Sequence, residues 1–148
     1  MNLKAMFPPS NGCICSICRS YCKRPGWWTV DQAELAINLG YADRMMMEIS
    51  PDFDYAVLSP AFCGCEGYIA TNEASKNHCN FLKNGLCELH NTKILPLECA
   101  FCHHERTGQG KICHDAISME WKTLKGQKLV AKWQNIVKLN EKLKKMRY

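Results

Sequence analysis

No stretch of the sequence approaches the roughly 20 consecutive apolar residues that cross a bilayer. The opening Met1-Asn2-Leu3-Lys4-Ala5-Met6-Phe7-Pro8-Pro9 holds no apolar run of secretory length. Both absences lead to the expectation of a cytoplasmic protein with no membrane partner. The usual catalytic signatures are missing too: there is no GxSxG, HExxH or GxxxxGK[ST], and Gly108-Gln109-Gly110-Lys111 is too short for a phosphate loop. Motifs therefore do not choose between an enzyme and a binding protein. No repeat at a solenoid period and no low-complexity linker divides the chain. Its 148 residues are read as a single domain, 1–148.

What the chain has in excess is cysteine: Cys13, Cys15, Cys18, Cys22, Cys63, Cys65, Cys79, Cys87, Cys99, Cys102 and Cys113. In a reducing cytoplasm thiols do not persist as structural disulfides, so metal is the expected use for all eleven. The tightest group is Cys13-x-Cys15-x-x-Cys18-x-x-x-Cys22. Thiolates are soft donors suited to zinc and to iron–sulfur clusters, and short spacings let one loop aim several sulfurs at one centre. Cys99-x-x-Cys102 is the second group, and Cys79, Cys87 and Cys113 are placed to close sites from a distance. Each of the five histidines, His78, His90, His103, His104 and His114, lies near a cysteine, and His103, directly after Cys102, is taken as the candidate imidazole ligand. Cys99-Ala100-Phe101-Cys102-His103 also fits the attachment pattern of c-type haem. Haem would leave nine of the eleven cysteines unexplained.

Hydrophobic residues at 47% and charged residues at 22% are those of a folded protein. The net charge of +5 is unevenly spread. Residues 1–119 hold ten Lys/Arg and twelve Asp/Glu, whereas 120–148 hold nine Lys/Arg against Glu120 and Glu141. The expected layout is a cysteine-rich metal-binding part over 1–114 and a basic helical part over 115–148. The basic helix offers a surface to a polyanion, nucleic acid included, or to a protein partner.

Local signals predict a helix over 30–39, with Thr29 as N-cap, Gln32 completing a capping box and Gly40 supplying the stop. A second short helix is expected over 41–49, with the run Met45-Met46-Met47 as core filler, then a short strand over 55–58. Asn84-Gly85 predicts a hairpin turn. Pro96 predicts the start of a helix carrying Cys99, Cys102 and His103, with the stop at 107–110. The tail from Asp115 reads as helical, broken near Gly126. The fold expectation is a small α-rich domain, minor in β, irregular and stapled by metal, with a short β-hairpin and a C-terminal basic amphipathic helix.

The cysteine pattern resembles the YkgJ-like cysteine-cluster family, the CxxCxxCC proteins described as zinc- or iron-chelating domains. The likeness rests on Cys15-x-x-Cys18-x-x-x-Cys22 followed by the helix from Thr29, then Cys79-Asn80-Phe81-Leu82, Gly85-x-Cys87 and Pro96-x-x-Cys99. The adjacent cysteine pair of the family's first motif is absent, and Leu95 stands where the family has arginine. The resemblance implies chelation of zinc or iron, an iron–sulfur cluster included, through Cys15, Cys18, Cys22, Cys79, Cys87 and Cys99. Because the same cluster occurs in flagellin lysine methylases, the resemblance also allows an enzyme-associated role, and an iron–sulfur cluster would allow a redox one.

Overall fold

The computed structural model describes residues 2–11, 13, 15–21 and 23–146. Two short helices, α1 (Leu3–Met6) and α2 (Ser16–Tyr21), precede α3 (Val30–Asn38). Helix α3 begins where the sequence places it. Thr29 Oγ1 accepts from the Gln32 amide at 3.1 Å, and Gln32 Oε1 accepts from the Thr29 amide at 3.2 Å. This reciprocal cap satisfies two amides that a helix start leaves without partners. Gly40, at φ +94°, takes the left-handed conformation that ends the helix. Gln32 also accepts from the Leu97 amide at 3.0 Å and donates to the Leu95 carbonyl at 2.8 Å. The same side chain thus ties α3 to the start of α4 (Leu97–Phe101).

Residues 41–49 depart from expectation. In place of a helix there is one 3-10 turn, Ala42–Arg44, and then a strand, β1 (Met45–Ile49), paired antiparallel with β2 (Ala56–Pro60). The strand separates two apolar clusters: Met45 and Met47 enter the main core, while Met46 joins Ala61, Phe62, Cys65 and Ala74 in a smaller one. Alternate side chains of a strand point to opposite faces. A strand buried on both faces reads as an unbroken apolar run, which carries no period to separate it from a helix.

The Asn84-Gly85 hairpin is present. Strands β3 (Leu82–Lys83) and β4 (Leu86–Cys87) pair antiparallel, and both turn residues have positive φ, 52° and 77°. That is the backbone of a type I′ turn. Beyond it α4 is shorter than expected, ending at Phe101 with Cys102 as its C-cap, and His104–Arg106 forms a separate 3-10 turn.

The C-terminal part is two helices, α5 (Gly110–Trp121) and α6 (Leu124–Met146). The break falls at 122–123, not at Gly126, and α5 runs across the 114/115 position. Helix α6 buries Gly126, Leu129, Val130 and Trp133, one stripe at helical spacing, and leaves Lys128, Lys132, Lys138 and Lys142 on its exposed side. Three fully enclosed indoles organise the core. Trp28 Nε1 donates to the Ile94 carbonyl at 2.6 Å, Trp121 Nε1 to the Trp28 carbonyl at 2.8 Å, and Trp133 Nε1 to the Ala42 carbonyl at 2.9 Å. Each buried N–H is thereby satisfied, as a tryptophan in a core requires. Among the described residues no helix is long and apolar enough to cross a membrane.

Gly126 lets α6 approach α5. A Cβ there would stand 2.6 Å from the Trp121 carbonyl oxygen and 2.9 Å from its Cα, contacts that only a backbone shift relieves. Gly126→Ala is expected to lower stability by about 2 kcal/mol, since overpacking against backbone outweighs the up to ~1 kcal/mol gained in helix propensity. A thermal melt of the two proteins checks this, and an unchanged or higher midpoint would contradict the packing account.

Candidate metal centre

Cys13, Cys15 and Cys18 surround one imidazole. His104 Nδ1 lies 3.6 Å from Cys13 Sγ, 3.5 Å from Cys15 Sγ and 3.3 Å from Cys18 Sγ, and all four donor atoms fall within 4.8 Å of one another. A tetrahedral zinc ion with bonds of about 2.3 Å to sulfur and 2.05 Å to nitrogen sets each N···S separation at about 3.6 Å. The donors are therefore already spaced for one ion. The spacing is compatible with a single tetrahedral ion.

Local backbone builds this arrangement. Cys18 sits in the first turn of α2, so its amide is one of the unpaired N–H groups of a helix start, and it donates to Cys15 Sγ at 3.4 Å. The Cys15 amide points at Cys13 Sγ at 3.5 Å, and the His104 amide at Cys18 Sγ at 3.3 Å. Backbone donors of this kind favour the thiolate form. Cys15 is held down to about 7, chiefly by the Cys18 amide, while Cys18 is pushed up to about 11 by desolvation first. The sulfurs interact as a set. Neighbouring thiols resist ionising together, and a bound cation removes that resistance.

The proton linkage follows. Between pH 7 and 11 Cys18 must lose a proton for metal to bind; below about 7 Cys15 must lose one as well. The slope of log affinity for zinc against pH is expected to steepen by about one proton per site as pH falls through 7. Competition titrations at pH 6 and pH 8 measure it, and a pH-independent affinity would rule out thiolate ligation.

The other expected ligands separate into distinct settings. His103 is not among the three thiols; its Nδ1 accepts from the Glu105 amide at 3.1 Å as the cap of the 3-10 turn, although it lies with His104 and Glu105 in a second, weaker donor group. The ring that meets the three thiols is His104, which the sequence marks only as one of the histidines near Cys102. Cys63 Sγ lies 3.6 Å from His78 Nε2 at the surface. Cys65 is buried in the small apolar cluster, with its sulfur 4.0 Å from Thr71 Oγ1. Cys87 lies on β4 opposite Leu82. Cys113 is enclosed on α5, where burial pushes its thiol up to about 12, the behaviour of a small hydrophobe. Cys99 lies on α4 and Cys102 caps its end, while Cys79 is buried in the main core. The expectation for Cys22 lies outside the described residues.

No family model, curated protein or solved structure matches this chain.

Proposed function

We propose that the protein is a zinc-binding module in which one ion, held by Cys13, Cys15, Cys18 and His104, fastens the N-terminal cysteine loop to the turn after α4. The observation that carries this reading is the set of three sulfurs 3.3–3.6 Å from one ring nitrogen. Three thiolates and one imidazole fill a tetrahedral ion, and a filled coordination shell is typical of structural and not of catalytic zinc. The ion brings together residues 86 to 91 positions apart, the kind of tie whose free energy counts toward folding. Chelation of this sort agrees with the resemblance to the YkgJ-like cysteine-cluster proteins, with the difference that Cys13 and His104 are not among the ligands the resemblance implies.

Metal analysis and an absorption spectrum of tag-free protein purified without oxygen test the reading. Colourless protein with stoichiometric zinc is the expected result. Brown protein carrying iron and acid-labile sulfide would replace it with an iron–sulfur protein, and folded protein without metal would end it.

A further inference from the structure

An open cleft of about 1030 Å³ is walled by the chain at 23–24, the loop 70–78, the hairpin at 82–85 and the end of β1. It shares no residue with the centre at His104, and its size is that of a small-molecule site. The charged groups on its walls are mostly of one sign. Lys23, Arg24 and Lys76 line it, and among the described residues the one carboxylate beside them is Glu48. Glu48 is engaged elsewhere, since its Oε2 accepts from Trp27 Nε1 at 2.9 Å. Burial raises the Glu48 carboxyl, opposed by the Trp27 N–H and by the charge of Arg24. Among the described residues none of the three cations forms an ion pair, whereas Arg44 is paired with Glu88 at 2.9 Å and Lys125 with Asp31 at 2.6 Å. Like charges held together on a concave wall raise the local potential and draw anions.

Hydrogen bonds fix the backbone under these groups. The Cys79 amide donates to the Lys23 carbonyl at 2.9 Å, which ties the 23–24 segment to the end of the loop. Lys76 closes the 3-10 turn Ala74–Lys76. The Ala74 amide donates to Thr71 Oγ1 at 3.1 Å ahead of it, and Asn77 Nδ2 donates to the Cys63 carbonyl at 2.7 Å behind it. An apolar surface stands in the same cleft: Ile49, left 41% exposed at the end of its strand, lines it with Phe62 and Leu82.

We infer that this cleft binds a small organic phosphate, its phosphate monoester held by Lys23, Arg24 and Lys76 and its apolar or aromatic body resting against Ile49, Phe62 and Leu82. Three cations against one carboxylate leave an excess of positive charge that matches the roughly −2 of a phosphate monoester at neutral pH. A carboxylate, or a phosphodiester within a nucleic-acid strand, carries a single charge and matches it less well. The Arg24 guanidinium offers a planar fork to two phosphate oxygens, and the two lysines act as point charges.

Titration of the full chain at constant ionic strength with phenyl phosphate, inorganic phosphate and phenol, followed by amide chemical shifts, tests the site. Phenyl phosphate is expected to bind about tenfold more tightly than inorganic phosphate, because the ring adds buried apolar area. The shifts should centre on Ile49, Lys76 and Gly85, and phenol should cause none over the same range. Arg24 and Lys76 are exposed, so Arg24→Gln/Lys76→Gln should keep the wild-type melt while weakening phenyl phosphate at least about tenfold. Lys138→Gln/Lys142→Gln, the same charge change on α6, should not weaken it. Equal weakening by both pairs would show attraction by net charge alone and overturn the site, as would failure of phenyl phosphate to saturate the wild type in the millimolar range. Equal affinity for phenyl phosphate and inorganic phosphate would overturn the assignment of an organic body. A single-stranded oligonucleotide that binds more tightly than phenyl phosphate, and loses that affinity in Arg24→Gln/Lys76→Gln, would overturn the small-molecule assignment in favour of nucleic acid.

Discussion

Cys15→Ser/Cys18→Ser is expected to bind zinc at the His104 site more than ~100-fold less tightly than the wild type, since loss of two direct ligands exceeds the 10–100-fold cost of losing a residue that only orients one. The domain is nevertheless expected to keep a cooperative melt. Helix α2 buries none of its residues, and the main apolar core contains none of Cys13, Cys15, Cys18 or His104. The damage should be local: cleavage by a protease of low specificity is expected to begin within 8–21 and 103–110, where Ser10 otherwise bonds to Ala100 and Cys102. Chelation of the wild type should open the same segments. Proteolysis with mass readout, before and after chelator, measures this; global unfolding of the variant would mean that the ion supports the core as well.

The opposite behaviour is expected of Trp28→Ala. Trp28 is completely enclosed, its N–H holds the Ile94 carbonyl and its own carbonyl receives Trp121 Nε1. Truncating a buried tryptophan costs about 3–5 kcal/mol, and the orphaned carbonyl adds about 1–3 kcal/mol. Total stabilities of about 5–15 kcal/mol leave little after such a loss. In urea, with slopes of about 1–3 kcal/mol/M, the midpoint should fall by more than about 1 M. Trp28→Phe keeps most of the apolar surface and should fall by less. A midpoint for Trp28→Ala within error of the wild type would show that the indole does not hold α3, the Ile94 segment and α5 together.

How much of this was legible in the chain depends on the range of the interactions involved. Helix 30–38 and the hairpin at Asn84-Gly85 are set by residues within four positions of one another, and both appear where the cap and turn chemistry put them. Met45-Met46-Met47 was not legible, because the residue pattern of a strand buried on both faces is the same as that of a buried helix. Nor was the end of α4, where Cys102 leaves the helix and the next residues turn. That turn decides which ring meets the thiols. His103 is extended and caps through its own ring, which leaves His104 to swing its nitrogen toward the thiols.

By itself the sequence determined that this protein is rich in soft metal donors, that the tightest of them lie at 13–18, and that a capped helix and, further on, a hairpin follow them. Spacing along the chain is enough for that, because caps, turns and neighbouring thiols act over a few residues. Only the tertiary structure decided which histidine joins Cys13, Cys15 and Cys18, and which cysteines are left as apolar packing. Those choices are made across some 90 residues of chain by the packing of α3, α4 and α5 around the tryptophans. No local pattern carries that information, since His103 and His104 are equivalent to the chain until the core fixes the direction in which each one points.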